Sequence, residues 1–149
     1  MTQKKTREGQ ALLQKVMEEY IAFNKYLGLK VDSFDTEAPR LRFDMRPELV
    51  GNPSRQILHG GVISATLDVA GGFAIMLSLV GESAVTPTSF PNMGTIDLRV
   101  DYLRPGRGKY FIATARIVRK GSRIAVTHME LYNDSGELIA TGGAAYVVG

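Results

Sequence analysis

Residues 60–81 read GGVISATLDVAGGFAIMLSLVG, a stretch of small and apolar side chains broken only by single polar residues. A helix that is apolar all round has no face to give to water and belongs in an interior. This segment therefore demands a fold built to enclose it, and we read a central helix over about 59–79. Gly71 and Gly72 each cost a helix roughly 1 kcal/mol against alanine. Their presence implies that something, sheet or ligand, packs closely against that turn.

The rest of the chain supplies the enclosure. Residues 94–103, 109–119, 122–133 and 137–148 alternate apolar and polar, the signature of strands with one buried face. Pro105-Gly106, Lys120-Gly121 and Asp134-Ser135-Gly136 punctuate them, and connections this short require antiparallel neighbours. The last three runs thus form a meander. Upstream, 29–35 and 40–45 read as a strand pair with Leu41, Phe43 and Met45 on one face. Pro47 to Leu58 reads as a loop, with Gly51, Asn52, Pro53 and Ser54 as its turn residues. Leu12, Leu13, Val16, Met17, Tyr20, Phe23 and Asn24 recur at helical spacing, predicting one N-terminal helix over about 7–26 that stops at Gly28. The expected architecture is α+β, a long buried helix wrapped by an antiparallel sheet. Repeats, linkers and low-complexity segments are absent, so residues 1–149 are expected to form a single domain.

Several function classes drop out. Without cysteine there is no thiol nucleophile, thiolate metal site or disulfide, which fits a reducing compartment. The two histidines show no metal-ligand spacing such as HExxH. GxSxG elbows, GxGxxG turns and GxxxxGK[ST] loops are all missing. The net charge of +3 is spread rather than concentrated; nucleic-acid binding favours a denser basic face with interleaved aromatics, and no nucleic-acid partner is expected. The N-terminus lacks the apolar core of a signal peptide, and no stretch is read as reaching the roughly eighteen apolar residues of a membrane span. The expected location is the cytoplasm.

What remains is the turn Leu58-His59-Gly60-Gly61-Val62 leading into the central helix, and Asp68 within it. Adjacent glycines at a helix start leave backbone N–H groups that a ligand atom can approach closely, and the helix dipole adds positive potential there. That arrangement suits an oxyanion or a thioester carbonyl; it equally suits a tight turn that needs glycine for conformation alone. Asp68 sits among Thr66, Leu67, Val69 and Ala70, and a carboxylate in apolar surroundings is either paired or functional. In a functional role it serves as a general base or a nucleophile. Gly60 and Asp68 are eight residues apart, about 12 Å along one helix. One carbonyl cannot lie within about 3 Å of both. If both act on one substrate, they come from different chains, and the site belongs to a symmetric dimer.

The run LHGGVISATLD, followed by MGTIDLRVDYLRPGRG, resembles the PaaI-like hotdog thioesterases, and within them the YigI-like bacterial subgroup of medium- and long-chain acyl-CoA thioesterases. The likeness extends over nearly the whole chain. It implies a hotdog fold, a curved sheet around the central helix, with homodimers or homotetramers (dimers of dimers) joined through edge strands. It also implies hydrolysis of acyl-CoA to a free acid and CoA, with no metal or other cofactor. By the same resemblance Asp68 is the base or nucleophile, and Gly60 gives the oxyanion N–H. His59 and Asn52 shape the site, with Gly61 beside them, and the Thr95 hydroxyl lies near the aspartate. In the family the asparagine commonly stands six residues before the histidine, whereas Asn52 stands seven before His59.

With CoA as the substrate, Arg104, Arg107 and Lys120 at strand ends are candidates for its phosphates. Met76 and Phe90 are candidates for the acyl chain, Phe90 and Met93 acting as a lid. An acyl-CoA-binding sensor without turnover and a hotdog dehydratase are the competing readings. Sensors of that kind usually carry a DNA-binding domain, for which the short N-terminal stretch has no room, and the dehydratases usually pair a histidine with an acid in motifs unlike HGG.

Overall fold

A computed structural model of the chain describes residues 3–80 and 92–149. In chain order it contains α1 (Gln3–Lys15), a π-helical turn (Val16–Tyr20), α2 (Ala22–Leu27), and strands β1 (Lys30–Ser33) and β2 (Arg40–Asp44). A 3-10 turn (Pro47–Leu49) leads to the short strands β3 (Val50–Asn52) and β4 (Ile57–Leu58) and then to α3 (Gly60–Ser78). The long strands β5 (Gly94–Tyr102), β6 (Tyr110–Lys120), β7 (Ile124–Asn133) and β8 (Leu138–Val147) complete the chain. The main sheet is antiparallel in the order β1-β2-β6-β7-β8-β5, and β3 pairs with β4 separately. This is the expected α+β arrangement, with the long elements within two residues of their expected bounds.

The sheet approaches α3 closely where its inner face carries small residues. Ala113 and Ala115 on β6, Ala125 on β7, and Ala140 and Ala144 on β8 are all buried. The helix contributes the bulk instead: Leu67, Phe73, Ile75 and Met76 are at most 3% exposed. Large residues facing small ones let the two layers interdigitate at the density of an organic crystal. At Gly142 the approach is close enough that an added Cβ would lie 3.3 Å from Leu67 Cδ1.

Four expectations need correction. The N-terminal segment is not one helix over 7–26. It starts at Gln3 and widens into the π-turn at Val16, where Ile21 N–H donates to Val16 O at 3.0 Å, five residues back. It breaks at Ile21, which is extended, and restarts as α2. The buried Asn24 amide donates to Met17 O at 3.1 Å, so a side chain occupies a carbonyl at the wide turn. A 3.6-residue pattern read from sequence does not register that one-residue offset. Gly28, the predicted stop, does end α2 in the left-handed region at φ 75. Second, the segment 47–58 holds the β3–β4 hairpin rather than plain loop. Third, α3 is not hidden on every side: Gly61 is exposed and Ser64, Ala65, Asp68 and Val69 are partly so, whereas Ala70 to Leu77 are buried. Fourth, α3 is long and apolar enough to match a membrane span by composition, yet 67% of its most apolar window is buried inside this fold.

The two glycines separate cleanly. A Cβ on Gly71 would overlap the Tyr146 hydroxyl and lie 2.7 Å from Thr127 Oγ1, both held by the sheet. A Cβ on Gly72 would meet only the flexible end of Met93, at 3.3 Å. Gly71→Ala is expected to destabilise by about 1–3 kcal/mol of overpacking despite the better helix propensity. Gly72→Ala is expected to keep or raise the thermal midpoint. Calorimetry of the two variants checks the contrast.

Candidate active site

The first turn of α3 is organised by His59. At φ −62 and ψ 135 it is the N-cap, and its Nδ1 accepts from Gly61 N–H at 2.8 Å. An accepting Nδ1 means that the neutral ring carries its proton on Nε2. The His59 carbonyl accepts from Val62 N–H at 3.0 Å and Ile63 N–H at 3.3 Å. Of the first-turn donors, Gly60 N–H is thus left without an acceptor among the described residues. Gly61, expected beside it as a second donor, is taken by the cap. Tyr102 closes one side, its hydroxyl donating to Gly60 O at 3.0 Å. An added Cβ on Gly60 would stand 3.3 Å from the Tyr102 ring.

Outside this turn lies a groove of about 360 Å³ bordered by Arg55, Ile57, Gly60, Ile63, Tyr102 and Arg104. Two expected phosphate ligands are close to it. Arg104 donates one Nη1 bond to Leu138 O at 2.9 Å and Arg107 donates one to Arg55 O at 2.9 Å, so each guanidinium keeps further donors. Both side chains are exposed. The third, Lys120, is elsewhere: its Nζ donates to Ser78 Oγ at 3.2 Å. Ser78 is eighteen residues along α3 from Gly60, or about 27 Å.

Asp68 lies two turns into α3, where the helix meets β5 and β8. Thr95 Oγ1 donates to Asp68 Oδ1 at 2.8 Å, the proximity that the family resemblance implied. Tyr146, from β8 and 2% exposed, lies with its hydroxyl 2.8 Å from Asp68 O and 3.2 Å from the same Oδ1. Burial first, and then the neighbouring Asp68 carboxylate, hold the Tyr146 phenol well above the usual tyrosine range, so it remains a neutral O–H donor. The carboxylate opens onto a cavity of about 160 Å³ whose apolar wall includes Met17, Ile21, Val69, Met76 and Met93. Met76, the acyl-chain candidate, is thus part of this wall. Phe90 lies outside the described residues.

Asn52 is not brought to either cluster: its Oδ1 accepts from Ser54 N–H at 3.2 Å and Ser54 Oγ at 2.8 Å, closing its own turn. The β3–β4 register slips between Val50 and Asn52, and Gln56 takes φ 52 in the same hairpin. The spacing that departs from the family pattern falls in this irregular segment. Tyr146, Tyr102, Met17 and Ile21 were missed as site residues. Only the Gly71-Gly72 pair hinted at Tyr146, and nothing in the sequence places an N-terminal wall beside the aspartate. Among the described residues no group of three or more His, Asp or Glu is arranged to hold a metal ion.

The comparisons with known proteins converge. The family described as Thioesterase superfamily matches residues 55–140, more than half of the chain. The medium/long-chain acyl-CoA thioesterase YigI of Escherichia coli is 42% identical over 135 residues, covering 87% of each chain. The protein of the same description from Salmonella typhimurium matches at the same identity and coverage. A crystal structure from Shewanella oneidensis, related to the thioesterase superfamily, is similar at a TM-score of 0.86 and 37% identity over 100% of both chains. A thioesterase family protein from Silicibacter pomeroyi follows at a TM-score of 0.70 and 25% identity over 98% of both. With a carboxylate beside an apolar cavity, an unpaired N–H at a helix start and these relatives, the chain belongs to the thioesterase superfamily and is a thioester hydrolase of hotdog fold.

Proposed function

We propose that this chain, acting as one domain, hydrolyses medium- to long-chain acyl-CoA in a site shared between two copies. The observation that carries the reading is the Asp68 carboxylate. Both neighbouring hydroxyls converge on its Oδ1, leaving Oδ2 as the oxygen available for chemistry, and the group opens onto an apolar cavity. The 42% identity to a medium/long-chain acyl-CoA thioesterase supports the substrate class. The substrate and the cysteine-free chain both fit a cytoplasmic reaction.

In this reading the thioester carbonyl oxygen rests on Gly60 N–H, at the positive end of α3. Oδ2 of Asp68 either takes a proton from the attacking water or bonds to the acyl carbon itself. On both routes the C–S bond breaks, the CoA sulfur leaves as a thiolate that gains a proton, and water supplies the second oxygen of the acid. The alkyl chain enters the cavity beside Met76. The CoA phosphates meet Arg104 and Arg107 near the groove outside Gly60. His59 keeps that N–H pointed outward by capping Gly61, and Asn52 shapes the adjacent turn. Lys120, at the far end of α3, is not part of this proposed site.

Two copies are needed because Gly60 and Asp68 share one continuous helix and lie about 12 Å apart along it. Support comes from β5, an edge strand of nine residues with Ile96 54% and Tyr102 55% exposed. Long uncovered edges are templates for pairing, and β5 carries Thr95. A second copy paired there meets the Asp68 end directly, and further pairing would give a dimer of dimers.

Free-thiol release from a panel of acyl-CoAs tests the carboxylate: Asp68→Asn is expected to lose at least about 10²-fold in rate. Binding of acyl-CoA without thiol release by the unmodified protein would instead favour a sensor. Sharing is tested by mixing. Gly60→Pro deletes the N–H at a helix position that tolerates proline, after a residue already in the extended region. It is expected to lose about 10²–10³-fold in rate. Co-refolded with Asp68→Asn, it should regain activity, since half the sites of a mixed dimer are intact. A mixture no more active than its components would overturn sharing. Met76→Trp is expected to shift preference toward shorter chains, read as kcat/KM across the panel.

A further inference from the structure

We propose that Tyr146 is a positioning residue for Asp68: with Thr95 it pins carboxylate oxygen Oδ1, so that Oδ2 alone faces the cavity. The inference rests on the reading that the Asp68 carboxylate carries the chemistry, and extends it to a residue 78 positions away on the last strand.

The side-chain torsion that rotates a carboxylate is broad and roughly two-fold. An aspartate held by a single hydrogen bond therefore exchanges its two oxygens readily. Here the donors approach Oδ1 from two different strands, Thr95 of β5 at 2.8 Å and Tyr146 of β8 at 3.2 Å. The single Tyr146 proton is shared between Asp68 O and Oδ1, so a flip would break the Thr95 bond together with the longer arm of this shared one. The phenol is in turn fixed in place. Its hydroxyl also reaches Asp68 O at 2.8 Å. Asp68 O belongs to the backbone of α3, so the phenol is seated at the helix itself.

Thr127, 1% exposed on β7, completes the arrangement. Its hydroxyl donates to Met129 Sδ at 3.1 Å, and it stands beside the phenol, since a Cβ added at Gly71 would lie within 3 Å of both hydroxyl oxygens. Gly71 opens the space: a Cβ there would overlap the Tyr146 hydroxyl. A buried phenol is costly without a partner, and on this strand its O–H has Asp68 as its outlet.

Tyr146→Phe removes the one oxygen and leaves the ring. The expected result is a fall in kcat of about ten- to a hundredfold, the scale of a hydrogen bond to a charged group, with KM for the same acyl-CoA within about twofold. In the Asp68→Asn background the same substitution should change the residual kcat by no more than about twofold, because the two changes act through one group. Should Tyr146→Phe fail to fold, Thr127→Val reads the same coupling, with a smaller fall in kcat that also vanishes beside Asp68→Asn. Unchanged kcat in Tyr146→Phe overturns the proposal, and so does an equal proportional loss in both backgrounds, which marks a purely structural role. Wild-type turnover by Asp68→Asn overturns the reading of Asp68 itself and is told apart from these by that single variant.

Discussion

The close approach of α3 to the inner face of the sheet governs the molecule. It is possible because the strands contribute alanine and glycine where the helix contributes leucine, phenylalanine and methionine. Burying a helix of this composition provides much of the hydrophobic driving force. It also leaves each exception visible. Asp68 is partly exposed at the point where the helix meets β5, and Gly71 is bare where Tyr146 and Thr127 reach the helix backbone. The candidate functional groups stand at the margin of the packing, held by hydroxyls that the packing orients.

The same helix divides the proposed chemistry. Its N-terminus provides a donor and its second turn provides a carboxylate, and a rigid rod keeps them apart. Hydrogen-bond accounting at the first turn narrows the donor to one group, since His59 consumes the bonding capacity of its neighbours. Glycine at 60 and 61 therefore has two different consequences. The first leaves an N–H open to a ligand, and the second lets the chain fold tightly enough for an imidazole to cap it. The arginines near the groove outside Gly60 add positive charge on the side where an anionic substrate would approach.

The long elements were legible because their signals are periodic and local. The apolar run announced α3, alternation announced β5 to β8, and Gly28 announced the end of α2. Asp68 was legible as an anomaly, a charge where every neighbour is apolar, and Thr95 followed from family likeness. What stayed hidden depends on registers that no local pattern encodes. The π-turn at Val16–Tyr20 is a one-residue offset within an otherwise helical pattern. Tyr146 looks like any inward-facing residue of an apolar strand until the pairing of β5, β8 and α3 brings its hydroxyl to Asp68. Asn52, legible as a candidate, turned out to close its own turn. Arg104, Arg107 and Lys120 looked alike in sequence and separated only when the length of α3 set Lys120 at the opposite end.

The π-turn has a consequence for how the cavity can change. Met17 and Ile21, which wall the pocket, are carried on or beside a turn one residue wider than an α-helix. Wide turns of this kind differ from regular helix by a single extra residue. Deleting that residue would rotate the wall by about 100°. It would also carry away Glu18, whose carboxylate accepts from Val31 N–H of β1 at 2.9 Å. The shape of the pocket is thus tied to the edge of the sheet through this turn, and loss or gain of a residue near position 20 would change both in one discrete step.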